Sequence, residues 1–297
     1  MRVPCANRCL RWAFLLFMAM LVTSCSTHRY VANKEYPQFL ANIEYDGILE
    51  EQVCKCSVDG PTERRMMVYL PKTYYDSDES YPVLYLLHGA RGNELSWIEK
   101  GDLLHNIDSL RAGGLIREMI VVLPNVNQYN DDKDFNKSRI KGAVESLFET
   151  DGAVEAAFVG DVVNAVDSLY RTLSDKDHRA IAGLSIGAMQ AMHISANAPD
   201  IFGYVGLFSA MVHPVLRKSD HSAFYKDFKD KLKVQFAAPP MLYSIMIGNK
   251  DFYYPRMKCY VRFLKREGYP YEMTIVGGGH QWYNWTEFAN QFMQRLF

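Results

Sequence analysis

"RAIAGLSIGAMQA" spans Arg179–Ala191. An apolar run leads into Gly183-Leu184-Ser185-Ile186-Gly187, and a helix-like run follows it. The pattern is G-x-S-x-G, which forms a nucleophile elbow when it joins a strand to a helix. Such a turn strains the serine backbone so that the hydroxyl projects above the sheet. Small neighbours are needed because strand and helix approach closely there. The pattern alone is weak, since small residues are common at strand-to-helix turns. Its meaning depends on whether the chain also supplies a base, an acid and an oxyanion site in workable order.

The flanking sequence alternates between two periods. Strand signals begin near Ile48 and continue in "ERRMMVYLP" (63–71). "PVLYLLHG" (82–89) and "REMIVVLPN" (117–125) are continuous apolar runs, as buried central strands require. Further strands are expected in "RAIAGLS", "YVGLFSA" (204–210), "PMLYSIMIG" (240–248) and "YEMTIVGG" (271–278). Helical spacing falls at 103–114, 153–172, 186–198, about 255–267 and from Trp285 onward. Strands alternating with helices predict an α/β fold, with a mostly parallel sheet and helices on both faces. Ligands in such sheets bind beyond the carboxyl ends of the strands.

The chemistry-bearing residues fall at those ends. A serine hydroxyl needs a base. Of eight histidines, His280 follows "VGGG" after the last strand and precedes the terminal helix. His88 ends a strand and is expected to orient the loop after it. His193 is expected to be a packed or surface residue, and His178, His213 and His221 have no supporting context. The base needs a carboxylate to fix its tautomer. Asp251 in "IGNKDF" lies just past a strand end, whereas Asp227 and Asp230 sit in a charged, helical-looking insertion. The order Ser185, Asp251, His280 is the α/β-hydrolase order. Oxyanion donors are expected from the backbone N–H groups of Ile186, after the nucleophile, and Ala90, in "LLHGARGNELSW" (86–97), with Arg91 as the fallback.

These segments together resemble the esterase family of α/β-hydrolases that includes carbohydrate esterase family 1, with its feruloyl and acetylxylan esterases. The resemblance covers about residues 60–297 and rests on "VYLPKTYYDSDESYPVLYLLHGARGNELSW", "MIVVLPN", "RAIAGLSIGAMQA", "IGNKDF" and "GGGHQWYNW". It implies an α/β-hydrolase fold, with Ser185 as nucleophile, His280 as base, Asp251 as acid, and no metal or organic cofactor. One departure is Ala188, where many members have glycine. Aromatic residues gather near the inferred site. Trp97, Phe252 and Trp282 are the candidate substrate contacts, able to stack on sugars or hydroxycinnamoyl rings. The competing reading is that such residues pack the loops and the terminal helix. The irregular stretches 125–150 and 211–236 are candidate substrate walls.

The 297 residues are 48% hydrophobic and 23% charged, a globular balance, and no linker composition divides them. A formal net charge of −1 excludes a basic field for nucleic acid. The N-terminus is separate. Arg2, Arg8 and Arg11 precede the apolar "WAFLLFMAMLV", which is short for a membrane span. "LVTSC" (21–25) resembles the bacterial lipoprotein box. The expectation is a signal peptide at 1–24, a lipidated Cys25 and tether at 25–45, and an esterase domain at 46–297. Acyl chains on Cys25 would hold an exported protein at a membrane. By the same resemblance, Ser26 leans towards the outer membrane. Of the remaining cysteines, Cys54 and Cys56 are poorly placed to bond each other, and Cys259 is expected in a helix core.

The expected activity is a serine carboxylesterase acting on feruloyl or acetyl groups of xylan or its fragments. The alternatives are an acyltransferase or an esterase for another exported ester, such as a siderophore or small aryl ester, and a glycan-binding lipoprotein that kept the fold without turnover.

Overall fold

The computed structural model describes residues 40–57, 63–127, 152–212 and 223–297. The signal segment, Cys25, His213, His221, most of the candidate substrate wall at 125–150 and residues 213–222 of the one at 211–236 lie outside the described residues. Leu40–Asn42 form a short 3-10 turn, and Asn42–Phe297 form one compact unit.

In chain order that unit contains β1 (Ile48–Lys55), β2 (Glu63–Leu70), β3 (Val83–Leu87), α1 (Ser96–Gly101), α2 (Leu103–Ala112) and β4 (Ile120–Pro124). There follow α3 (Ala153–Phe158), α4 (Asn164–Leu169), β5 (Arg179–Leu184), α5 (Ile186–Asn197) and β6 (Tyr204–Phe208). The last elements are α6 (Phe228–Gln235), β7 (Leu242–Gly248), α7 (Tyr254–Glu267), β8 (Glu272–Val276) and α8 (Trp282–Met293). The strands make one sheet in the order β1-β2-β4-β3-β5-β6-β7-β8. β2 runs antiparallel to both β1 and β4, and every other pair is parallel.

The two sheet faces follow from the two-residue side-chain period. On β6, Val205 and Leu207 join the core beneath α5, with Met189 and Met192. Gly206 and Phe208 point the other way, towards Phe288 and Phe292 of α8. Both faces are covered, so β3 to β7 are buried along their whole length and predominantly apolar, as expected of parallel strands. At the edge, β8 exposes Glu272 and Ile275. There a bidentate pair from Arg295 to Glu272 brackets the strand.

The expected helix at 153–172 is one helical stretch interrupted by a π-helical turn at Val159–Val163, around Gly160. α1 was not anticipated, being too short to show a period. α8 starts three residues earlier than expected, at Trp282. Cys259 is not a core residue. The buried stripe of α7 runs Met257, Tyr260, Phe263 and Leu264, and Cys259 lies off it, exposed.

The junction of β5 and α5 is the tightest point in the fold. A Cβ on Gly187 would stand 2.2 Å from the His88 carbonyl oxygen, and one on Gly183 would stand 2.6 Å from the Gly187 carbonyl carbon. Both neighbours are backbone, which cannot rotate away. Ala188 is fully buried and accommodated, so the alanine in place of glycine leaves this packing intact. Gly187→Ala is expected to lower stability by about 1–3 kcal/mol or more, read as a fall in Tm. Gly160→Ala is the control, since nothing lies within 4 Å of a Cβ there.

Candidate active site

Ser185 adopts φ 56° and ψ −115°, a backbone that L-residues rarely hold. Bonds on both sides over-determine it. Its N–H donates to the Phe208 carbonyl at 2.8 Å, and its carbonyl accepts from Met189 N–H and Met211 N–H. The side chain is thereby lifted off the end of β5 into a cavity of about 280 Å³.

The structure brings the three dispersed residues together. Ser185 Oγ lies 2.9 Å from His280 Nε2, and His280 Nδ1 lies 2.9 Å from Asp251 Oδ2. A carboxylate only accepts, so Nδ1 carries the proton and donates to Asp251. Nε2 is then free to accept from the serine hydroxyl. Asp251 is 3% exposed and sits three residues past β7. Burial pushes its carboxyl up, but hydrogen bonds from His280 and the Tyr253 amide outweigh this and hold it below the usual carboxylate value. Asp227 and Asp230 are exposed and take no part.

Gly89, Ala90 and Gly92 line the cavity beside Ser185. Ala90 and Arg91 are the middle of a turn closed by Gly92 N–H on the Gly89 carbonyl, with Arg91 at φ 59°. The Ile186 amide is at the first position of α5, where a helix leaves N–H groups without intrahelical partners.

A buried polar scaffold underlies this turn, and the sequence reading found only its histidine. His88 Nδ1–H donates to the Gly89 carbonyl at 2.8 Å, and its Nε2 accepts from Val126 N–H at 3.0 Å. Burial pushes His88 down to about 4, so the ring stays neutral and keeps that acceptor. Asn125 Nδ2 donates to the buried Glu94 at 2.8 Å, and Asn127 Nδ2 donates to the Gly92 carbonyl at 2.6 Å. Arg64 donates to the carbonyls of Asn125 and Asn127. Arg65 pairs with Glu94 at 3.1 Å. The only sequence signal for Glu94, Asn125 and Asn127 was polar residues abutting apolar strands, which fits any loop.

The three candidate aromatic contacts divide. Phe252 is 65% exposed, its ring 4.4 Å from that of His280, and it lines the cavity with Trp282. Trp97 does not. It is 1% exposed, its indole N–H donates to the Leu87 carbonyl, and its ring meets Trp282 edge-on. Position beside the loop pointed to the cavity, but the α1 turn rotates Trp97 into the core. Trp285 lines the wall instead, 4.8 Å edge-on to His280. Among the described residues no three His, Cys, Asp or Glu side chains are placed to hold a metal ion.

The family described as "Putative esterase" matches residues 57–295. The chain belongs to this esterase family. An endo-1,4-beta-xylanase/feruloyl esterase of Xylanibacter ruminicola is 30% identical over 236 residues, covering 77% of this chain and 29% of the relative. The chain thus spans less than a third of the length of the curated relatives it matches. Among solved structures, the CE1 ferulic acid esterase of Anaeromyces mucronatus superposes with a TM-score of 0.66 at 25% identity, covering 91% of this chain and 95% of that one. S-formylglutathione hydrolase from Staphylococcus aureus, at 16% identity and a TM-score of 0.62, covers 84% of this chain and 98% of its own. It shares the fold.

His193, on α5, is fully buried against Tyr225 and Phe228, and neither ring nitrogen has a hydrogen-bond partner among the described residues. Burial pushes it down to about 3. As pH falls below the ordinary histidine value, the unfolded chain gains protons that folded His88 and His193 refuse. Stability is therefore full above about pH 6.5 and is lost as pH falls towards 4. Thermal melts at pH 7 and pH 4.5 should show this fall, and His193→Phe, which gives up no hydrogen bond, should reduce it. An identical fall in the variant would refute the assignment to His193.

Proposed function

We propose that this esterase uses Ser185 as its nucleophile, activated by His280 and Asp251, on feruloyl or acetyl esters of xylan or its fragments. The observation that carries the reading is the continuous hydrogen-bonded line from Ser185 Oγ through His280 to Asp251, opening into a cavity.

The serine attacks the ester carbonyl as its proton passes to His280 Nε2. Asp251 keeps the imidazole in the right tautomer and stabilises the imidazolium. The carbonyl oxygen becomes an oxyanion, met by the backbone N–H groups of Ile186 and Ala90. His280 returns the proton to the leaving alcohol, and an acyl-enzyme remains. Water, deprotonated by His280, then attacks the acyl carbon and frees the acid. The preference for hydroxycinnamoyl or acetylated xylan draws on the xylanase/feruloyl esterase relative and the ferulic acid esterase fold neighbour. The exposed Phe252 and the half-buried Trp282 supply stacking surface for an aryl acyl group or a sugar. For the chain as a whole, we propose an exported lipoprotein anchored through Cys25 at the outer membrane, on the strength of "LVTSC" and its flanks.

Protein lacking residues 1–25 should cleave methyl ferulate and acetylated xylo-oligosaccharides. Ser185→Ala should lower kcat by at least about 10³-fold, and Asp251→Asn by about 10³–10⁴-fold. Equal turnover in wild type and Ser185→Ala would remove Ser185 from the mechanism. Cys25→Ala should move the full chain from the membrane fraction to the soluble one, and retention in the membrane would count against lipid anchoring.

A further inference from the structure

The cavity around Ser185 is asymmetric in charge. Phe252, Tyr253, Trp282 and Trp285 make one wall, and the turn after β3 with the end of α1 makes the other. Lys100 stands on that second wall, in the last turn of α1, next to Gly101. A Cβ on Gly101 would lie 3.3 Å from the Trp282 ring, so the lysine and the aromatic wall meet at the α1–α8 contact. Among the described residues lining the cavity, Lys100 carries the only permanent charge, and none is a carboxylate. Nor does any carboxylate of the described residues lie within ion-pair distance of its ammonium. The one nearby acid of the reaction, Asp251, is buried behind His280 and already paired.

Lys100 is exposed at the cavity it lines, and an unpaired cation at the mouth of a cleft raises the local concentration of anions there to an extent that salt reduces. We infer that Lys100 forms an anion subsite in the esterase cavity, selecting esters that carry a carboxylate on a second arm. This inference rests on the reading of Ser185 as the nucleophile. The chemical class is a carboxylate-bearing ester, such as one whose alcohol is a uronate-substituted oligosaccharide. The carboxylate can sit on the acyl arm or on the alcohol arm, and matched substrates separate the two.

The test compares kcat/KM for mono-p-nitrophenyl glutarate with p-nitrophenyl valerate, and for 4-carboxybenzyl ferulate with benzyl ferulate. The readout is the anionic-to-neutral ratio in each pair, which cancels general loss of activity. In at least one pair the wild-type ratio should exceed that of Lys100→Met by about three- to tenfold at low salt. It should shrink in about 0.5 M NaCl, survive in Lys100→Arg, and fall below the Lys100→Met value in Lys100→Glu. The pair that responds identifies the arm. A lysine that only complements the end of α1 would leave both ratios unchanged across the variants, and that result overturns the proposal. Failure of the wild type to hydrolyse any of the four esters would overturn the esterase mechanism, and this proposal with it.

Discussion

The positive φ of Ser185 constrains the whole structure. A left-handed backbone at a non-glycine residue costs about 1–3 kcal/mol, and it persists only where neighbours forbid relaxation. Here the neighbours are two adjacent strands and a helix. β6 accepts the Ser185 N–H, and the chain beyond β6 donates back to the Ser185 carbonyl. α5 can begin immediately only because Gly183 and Gly187 carry no side chain where it crosses β5 and the turn after β3. The same close approach puts the Ile186 amide and the Gly89–Gly92 turn on either side of one hydroxyl. The proposed nucleophile and oxyanion donors would therefore be set by a single packing event.

The proposed mechanism adds a second requirement, that the turn after β3 stay fixed while charge develops beside it. A mobile loop would have to reorganise at each turnover, which removes the advantage of preset dipoles. His88, Asn125, Asn127, Arg64 and Glu94 tie the turn to the end of β4 from below. The neutrality of His88 matters in this arrangement. A protonated ring would turn Nε2 into a donor facing the Val126 N–H, two donors with nothing between them. The burial that holds this ring neutral and the order of the loop are thus one property.

Most of the fold was legible because parallel strands buried on both faces read as predominantly apolar runs, and five of them did. The hydrogen-bonded line from Ser185 through His280 to Asp251 was legible for a different reason. Ser185 and Asp251 each follow such a run and His280 follows the edge strand β8, so finding strand ends amounted to finding the candidates. What escaped was decided by rotation rather than position. Trp97 and Trp285 both lie near the site in sequence, and only the phase of their helices sends one into the core and the other to the cavity wall. Cys259 failed the same way, one residue off the buried stripe of α7. The π-helical turn at Val159–Val163 adds a residue to the helical period, and no composition announces that. The polar scaffold under the turn was invisible because its members, spread between Arg64 and Asn127, become neighbours only when β2, β3 and β4 pair.

Specificity in this molecule has to come from outside the catalytic line. In the proposed mechanism Ser185, His280 and Asp251 would select an ester over other bonds but would not distinguish one acyl group from another. The surfaces able to do so are the aromatic face of α8 with Phe252, and the cationic end of α1. These two meet where Gly101 packs against Trp282 and the Trp97 ring meets the Trp282 ring edge-on. The buried Trp97 thereby acquires a purpose that substrate contact would not give it. Its indole is anchored to the Leu87 carbonyl at the end of β3, which links the wall that would sort substrates to the strand that carries the oxyanion turn. Repacking this aromatic cluster would therefore be felt at both walls of the cavity.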